Sequence, residues 1–151
     1  MNLEALLAYL HIAAILGLVV FISSEAALCR SEWMNAAVVR RLVRLDLIYL
    51  LALAVVSASG LARIVWGMKG SAWYWSQPLM HAKLTLLVVI IGLSIMPSLA
   101  FRRWLKALDA AGTLPADAEI AAVRKRVMLN SHLLVLLPLA GVLLARGIGT
   151  R

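Results

Sequence analysis

Four long apolar runs divide the chain, and short polar segments separate them. The runs cover residues of about 3–28, 45–66, 78–101 and 127–145. Because a hydrocarbon core roughly 30 Å thick needs about 20 apolar residues per helical crossing, each run is long enough to span a membrane. The first run carries Glu4 instead of a basic start and is too long for a signal peptide, so we expect it to remain as a helix. The pattern therefore predicts an all-α fold, a polytopic membrane four-helix bundle with a single transmembrane domain over residues 1–151.

Composition excludes several classes of protein. The 151 residues are 64 % hydrophobic and only 15 % charged, which leaves no room for a large soluble catalytic domain. Cys29 is the single cysteine, so the chain cannot form an intrachain disulfide. Without a Cys-x-x-Cys pair, a zinc finger and a covalently attached c-type haem are also excluded.

The distribution of basic residues predicts the orientation of the bundle. The two loops that follow the first and third runs hold ten of them: Arg30, Arg40, Arg41, Arg44, Arg102, Arg103, Lys106, Arg124, Lys125 and Arg126. The opposite side holds only Arg63, Lys69, Arg146 and Arg151. By the positive-inside rule, we expect the two loops to be cytoplasmic and both termini to be periplasmic or extracellular. Because the net charge of +8 lies beside apolar runs, we expect contact with anionic lipid and no nucleic acid.

Two segments outside the runs have helical patterns. The spacing of Trp33, Ala37, Val38 and Arg41 predicts a short amphipathic helix between residues 31 and 44, lying on the inner membrane surface. Leu114-Pro115, followed by acidic residues, is typical of a helix start. We therefore expect the fourth helix to begin in the cytoplasm and to enter the bilayer near Val127.

Ionisable side chains inside the spans are functional candidates, because they are costly in lipid and usually face the bundle. At about 1.5 Å per residue, four of them share the outer layer of the membrane: His11, Arg63, His81 and Lys83. The inner half holds Glu25, Asp46 and His132, which form a candidate proton path.

Helical phase predicts which of these side chains point inward. His11 and Glu25 fall within about 40° of each other, so one stripe of the first helix carries both. Lys83 aligns with Ser94 and Pro97, whereas His81 lies about 200° away from Lys83. We therefore expect Lys83 inside the bundle and His81 at its periphery.

The second helix has a face with small and polar residues. Asp46, Ser57 and Gly60 share this face. The run from Ser57 to Gly60 is the small-residue pattern that lets helices, or a flat ligand, approach closely.

A buried histidine in a membrane bundle suits axial ligation of a haem. His11 and His81 match in height but not in phase, and His132 lies roughly 10 Å too deep to share an iron with His11. The sequence leaves three arrangements open. In the first, His11 and His81 are both metal ligands. In the second, His11 is the only metal ligand, and Arg63 or Lys83 binds the haem propionates. In the third, no metal is bound and His11 forms an interhelical hydrogen bond.

Several motifs resemble a known family. Gly60-Leu-Ala-Arg63, Lys69-Gly70-x-x-x-Tyr74, Lys83-Leu and Leu93-Ser94-Ile-Met-Pro97-Ser98 are similar to the bacterial four-span membrane proteins grouped as domain of unknown function 2214. The resemblance covers nearly the whole chain, including the Ala145-Arg146-Gly147 ending.

A more distant resemblance concerns function. Leu10-His11-Ile12 and His81-Ala-Lys83-Leu84 resemble the HemJ-type protoporphyrinogen oxidases, and the same lysine pattern resembles the CopD-type copper-resistance proteins. The HemJ resemblance implies haem b, with His11 and Lys83 as the functional pair. The last span departs from the HemJ pattern, since it carries Asn130-Ser131-His132.

Three functions remain open at this point. The first is a haem redox protein that passes electrons between a quinol or porphyrin-like donor and an acceptor on the outer side. The second is a transport or metal-handling module for copper or another small cation, although no methionine cluster lines a span with the histidines. The third is an assembly partner without a substrate, and self-association into a homo-oligomer is open for all three.

Overall fold

Four long helices build the molecule. The computed structural model describes residues 3–66 and 70–147. Its helices are α1 (Leu3–Leu28), α2 (Ala36–Trp66), the short α3 (Ser71–Ser76), α4 (Pro78–Ala111) and α5 (Asp117–Ala145), with a 3₁₀ turn at Ser31–Trp33. Helices α1, α2, α4 and α5 are each long and apolar enough to cross a membrane. The predicted all-α four-helix bundle is confirmed, whereas Lys69 and Arg151 lie outside the described residues.

Helix ends follow local chemistry. Helix α4 begins at Pro78, whose fixed backbone angle suits the first helical turn. It ends before Gly112, which has a φ of 65° and so takes the left-handed conformation that glycine tolerates best. Helix α5 begins with Asp117 and carries Glu119 in its first turn, as the sequence predicts.

The segment before α2 differs from the sequence prediction. Residues 31–44 do not form a separate surface helix, since α2 runs without a break from Ala36 into the second span. The side chain of Asn35 accepts a hydrogen bond from the Val38 amide at 3.0 Å and so caps the helix. Val39 and Leu42 are buried, so this first part of α2 packs on the bundle. The prediction of a separate short helix between residues 31 and 44 is therefore wrong.

Buried and exposed apolar residues occupy different faces of the helices. The core contains fully buried residues of every long helix, for example Leu18, Leu42, Ile90 and Val123. Many large apolar side chains point outward instead, as Val88 does with 68 % exposure. In a soluble protein such a surface would be unfavourable, but in a bilayer it meets lipid tails.

The two ends of the bundle differ in charge. We call the end where α1 begins and α5 ends the terminal end, and the opposite end, with the two loops, the basic end. At the basic end Arg40 of α2 pairs with Asp109 of α4 at 2.6 Å. Arg103 of α4 pairs with Glu119 of α5. These exposed ion pairs join the helices where they leave the apolar layer.

Candidate functional site

His11 is held against α2 by a directed hydrogen bond. Its ring is buried, with 6 % exposure, and its Nδ1 atom lies 2.9 Å from Oγ of Ser59. The Ser59 hydroxyl donates its single proton to the carbonyl oxygen of Val55 at 2.6 Å. With its proton donated to Val55, Ser59 Oγ accepts the proton of His11 Nδ1, and this tautomer of the ring has its lone pair on Nε2. Nε2 is the ring atom that usually binds a metal when Nδ1 is held in this way.

Gly60 provides the space for this ring. A Cβ atom added at Gly60 would lie only 3.2 Å from Cε1 of His11, which is tighter than most real contacts. The absence of a side chain at this position lets the imidazole approach α2 closely. The small-residue run that the sequence analysis singled out thus has a specific partner, the ring of His11.

A cavity of about 460 Å³ lies beside His11 at the terminal end. We call it the terminal cavity. Its polar and aromatic lining consists of Glu4, His11, Arg63, Trp73, Tyr74 and Lys83. Apolar and small residues complete the wall, among them Ile64 of α2, Met80 of α4 and Gly141 of α5. This cavity therefore combines an apolar interior with a small set of charged groups, as small-molecule sites usually do.

A second cavity of about 390 Å³ adjoins the first and shares His11, Gly60, Met80 and Lys83 with it. We call it the lateral cavity. Its far wall includes Val88, whose side chain is among the most exposed in the bundle. The lateral cavity therefore connects the lipid-facing surface with the surroundings of His11.

Two basic side chains, Lys83 and Arg63, line the terminal cavity. Lys83 and Arg63 are both half-buried and both act electrostatically on the ring of His11. The Lys83 ammonium lies 3.5 Å from the position that a Cβ on Gly141 would take, so it reaches across to α5. Within residues 3–66 and 70–147, neither cation makes an ion pair, and Glu4 is the only carboxylate among the lining residues. The site therefore favours an anionic ligand.

His81 lies outside both cavities. Its ring is exposed, and Nε2 donates a hydrogen bond to the carbonyl oxygen of Trp75 at 2.9 Å. The indole of Trp75 packs beside it, with ring centroids 5.9 Å apart. Lys83 points into the bundle and His81 does not, as the helical phase predicts. The structure thus does not bring His81 and His11 together.

A second group of polar side chains lies deeper in the bundle, and we call it the inner polar core. Its members come from all four long helices: Glu25, Asp46, Tyr49, Ser94, Ser98 and Asn130. All of them are buried, with exposures of 2–6 %. Glu25 and Asp46 lie within electrostatic range of each other and of Tyr49.

Hydrogen bonds in the inner polar core follow a definite order. The amide nitrogen of Asn130 donates to Tyr49 at 3.1 Å and to Ser94 at 2.9 Å. The Ser94 hydroxyl donates to the carbonyl oxygen of Ile90, so the Tyr49 hydroxyl must donate to Ser94, at 2.9 Å. Tyr49, Ser94 and Asn130 thereby join α2, α4 and α5.

The two carboxyl groups of the core have different partners. Ser98 donates to Asp46 at 2.6 Å. Oε1 of Glu25 and Oδ1 of Asn130 are buried and accept no hydrogen bond from any described residue. The core therefore has spare acceptors, which suits it to a proton or a water molecule.

His132 does not belong to this core. Its ring is exposed, and Nδ1 donates to the carbonyl oxygen of Met128 at 2.6 Å, one turn earlier on α5. Asn130, two residues before it, takes the inward position. Of the three residues of the predicted proton path, the structure brings together Glu25 and Asp46 and leaves His132 apart.

Several site residues were not predicted from the sequence. Helical phase places Ser57 on the face of Gly60, but among the described residues Ser57 is half-buried and donates only to Leu53 on its own helix. Ser59 is the residue that contacts His11, and the sequence offered only the small-residue run as a signal. Tyr49 is one helical turn after Asp46, and this spacing could have identified it as inward-facing.

Neither site contains a recognisable metal cluster. Among the residues that the structure describes, no group of three or more histidine, cysteine, aspartate or glutamate side chains could hold a metal ion. A single imidazole is sufficient for a haem iron, so this finding does not decide between the candidate functions.

Comparison with known proteins gives the family. No curated protein and no solved structure matches the chain, and no comparison supports similarity to HemJ-type or CopD-type proteins. One family model, described as a predicted membrane protein, DUF2214, matches residues 3–149. That match includes all four apolar helices and both polar sites, and the chain therefore belongs to the DUF2214 family of predicted membrane proteins.

Proposed function

We propose that the terminal cavity binds haem b and that the protein is a membrane redox protein. It would pass electrons between a quinol or porphyrin-like donor and an acceptor on the outer side. The observation that carries the proposal is the position of His11: its Nδ1 lies 2.9 Å from Ser59 Oγ, which can accept the Nδ1 proton, and the residue lines a ligand-sized cavity. An imidazole fixed in this way is the usual axial ligand of haem iron.

The other residues of the cavity fit the same ligand. Haem carries two propionate carboxylates, and Arg63 and Lys83 are cations without carboxylate partners in the described chain. Charge-assisted hydrogen bonds from these two side chains would bind the propionates. Apolar side chains such as Ile15, Ile64 and Met80 would contact the macrocycle. When bound, the haem would supply one-electron transfer.

The position of the lateral cavity favours an electron donor that is dissolved in the lipid. It extends from Lys83 towards lipid-facing side chains such as Val88 and Leu61. A donor dissolved in the bilayer, such as a quinol, could reach the surroundings of His11 by this route without crossing water. Glu25 and Asp46, deeper in the bundle, are candidates to take up the protons that a quinol releases.

The distant resemblance noted in the sequence points in the same direction. In HemJ-type proteins the early histidine and the third-span lysine form the functional pair, and these map onto His11 and Lys83. Both side chains line the terminal cavity. This agreement adds to the proposal, but the chemistry of the cavity carries it.

An absorbance experiment with matched histidine variants tests haem binding. Detergent-purified protein, supplemented with haem, is recorded oxidised and after reduction with dithionite. We expect a Soret band that His11→Ala abolishes and that His81→Ala and His132→Ala retain. Wild-type protein that stays colourless after haem supplementation would overturn the proposal. Loss of the band in His81→Ala as well would replace the single ligand by a histidine pair.

One observation favours a second function, copper handling. Met80 lines both cavities together with His11, and a thioether beside an imidazole suits copper. An anaerobic titration with Cu(I) tests this alternative. Stoichiometric binding that Met80→Leu and His11→Ala both abolish, in a protein that binds no haem, would favour it.

A further inference from the structure

A second charged pocket lies at the basic end, far from the terminal cavity. It has a volume of about 280 Å³ and lies between the 3₁₀ turn Ser31–Trp33 and α5. We call it the basic pocket. Its polar lining consists of Arg30, Ser31, Glu32, Arg124 and Lys125, and its apolar lining consists of Ile120, Ala121 and Met128.

Among the described residues, the cations of the basic pocket lack the carboxylate partners that neighbouring arginines have. Elsewhere at this end, Arg40 and Arg103 each form an ion pair. In the described parts of the chain, Arg30, Arg124 and Lys125 form none, although Glu32 lines the same pocket. Three like charges around one small volume repel each other, and an anion between them would remove this repulsion.

Arg124 and Arg30 are partly fixed in position. Nε of Arg124 is buried and has no hydrogen-bond partner among the described residues, although a buried guanidinium donor normally has one. The guanidinium of Arg30 lies over the ring of Trp33, 5.7 Å from its centroid. Arg30 is therefore a positioned cation, and Arg124 brings a second guanidinium to the lining of the pocket; groups of this kind suit phosphate oxygens.

The surroundings of the pocket indicate which kind of anion it takes. Met128 of the lining lies where α5 enters the apolar run of about 127–145. The exposed Trp33 beside Arg30 is typical of the headgroup level of a bilayer. The ligand that combines an anionic group at the headgroup level with apolar chains in the bilayer is an anionic phospholipid. A free phosphate carries the same charged group but has no acyl chain that could contact the apolar residues of the pocket.

We infer that the basic pocket binds the phosphate of an anionic phospholipid through Arg30, Arg124 and Lys125. Such a lipid would link the turn after α1 to α5, two parts of the chain more than 80 residues apart. Basic pockets between membrane helices on the cytoplasmic side are known to take such headgroups. The inference does not depend on the proposed haem site.

The test compares lipids and matched charge variants by thermal unfolding in detergent. Phosphatidylglycerol, phosphatidylcholine or inorganic phosphate is added at equal ionic strength. We expect phosphatidylglycerol alone to raise the Tm of the wild type. The double variant Arg124→Gln/Lys125→Gln should bind this lipid at least roughly tenfold more weakly, since each lost charged contact accounts for about one such factor.

A control variant removes the same number of positive charges, two, from residues outside the pocket. Arg41→Gln/Arg126→Gln changes two exposed arginines at the same end, and neither lines the pocket. We expect it to keep the wild-type response to phosphatidylglycerol. An equal loss in this control would show a diffuse charge effect and overturn the site. An equal shift with inorganic phosphate would overturn the lipid assignment.

A second measurement covers the case in which the double variant does not fold. Native mass spectrometry of wild type and Arg30→Gln, each released from micelles with equal phosphatidylglycerol and phosphatidylcholine, reports retained lipid directly. We expect the wild type to retain phosphatidylglycerol selectively and Arg30→Gln to lose most of this selectivity. Unchanged selectivity would contradict the inference.

Discussion

The imidazole of His11 and the hydroxyl of Ser59 form a hydrogen bond of 2.9 Å that joins α1 to α2 beside the terminal cavity. The Ser59 hydroxyl also donates to the carbonyl oxygen of Val55, and in this arrangement His11 Nδ1 is the donor to Ser59 Oγ. The bond therefore sets both the orientation of the ring and its tautomer. It connects the chemistry of His11 to a neighbour on another helix.

Ser59→Ala should destabilise the protein by about 0.5–2 kcal/mol, because a buried imidazole N–H would lose its acceptor. Thermal unfolding in detergent measures this effect. Ser57→Ala is the matched control, since Ser57 donates only within α2 and touches no other helix through its hydroxyl. Equal Tm values for the two variants would contradict the assigned role of Ser59.

Gly60→Ala should displace the ring of His11. The new Cβ would start 3.2 Å from Cε1, so the ring or α1 must shift by a few tenths of an ångström, and Gly60→Val should be worse. Gly92→Ala is the control, because nothing lies within 4 Å of the added atom and alanine favours a helix by up to about 1 kcal/mol. We expect a lower Tm for Gly60→Ala and an unchanged or higher Tm for Gly92→Ala. The reverse order would refute the close approach at Gly60.

Asn130→Leu should destabilise the bundle by roughly 1–3 kcal/mol, because Tyr49 and Ser94 both lose the donor that they share. Ser131→Ala, whose hydroxyl bonds only within α5, should have little effect. Glu25→Gln should be tolerated, because Oε1 of Glu25 accepts no hydrogen bond from any described residue and glutamine keeps the size of the side chain. Urea or thermal unfolding of the three variants gives the comparison. A strong loss in Ser131→Ala with none in Asn130→Leu would contradict the arrangement of the inner polar core.

Helical periodicity predicted the four spans of the fold and some of the inward-facing polar residues. The apolar runs gave the four spans, and the phase of α4 correctly separated Lys83 from His81. Periodicity describes one helix at a time, so it could not predict that Ser59, and not Ser57, meets His11. That contact depends on how α1 and α2 are rotated about their axes.

Two failures of the sequence analysis have local causes. His132 is polar and lies at membrane depth, but it bonds to the Met128 carbonyl on its own helix and needs no partner inside the bundle. The segment before α2 has an amphipathic pattern, but the cap at Asn35 starts a helix that continues straight into the span. Neither short-range hydrogen bond is visible in hydropathy.

The orientation of the bundle in the membrane remains a prediction of the basic loops. Alkaline phosphatase fused after Arg151 should be active, and the same enzyme fused near Ala110 should be inactive. A control fusion to a protein that is active only in the cytoplasm should show the opposite pattern. If the Ala110 fusion is the active one, the terminal cavity opens to the cytoplasm and the outer electron acceptor is excluded.

Lys83→Met tests whether the terminal cavity recognises an anion. Methionine keeps much of the length and the apolar contact but removes the charge, so the fold should persist, with equal or greater stability because a half-buried ammonium without a carboxylate partner is costly. Affinity for haem, measured by titration of the Soret band, should fall roughly tenfold with the loss of one charged contact to a propionate.

The salt dependence of haem binding separates charge from packing in this variant. Screening weakens the attraction between Lys83 and a carboxylate, so the wild-type affinity should decrease with added salt more steeply than that of Lys83→Met. Lys106→Met is the control, since Lys106 is exposed at the opposite end of the same helix. Its affinity and its salt dependence should equal those of the wild type. If Lys83→Met binds haem as tightly as the control at every salt concentration, then Lys83 does not contact the ligand and Arg63 alone remains as the anion partner.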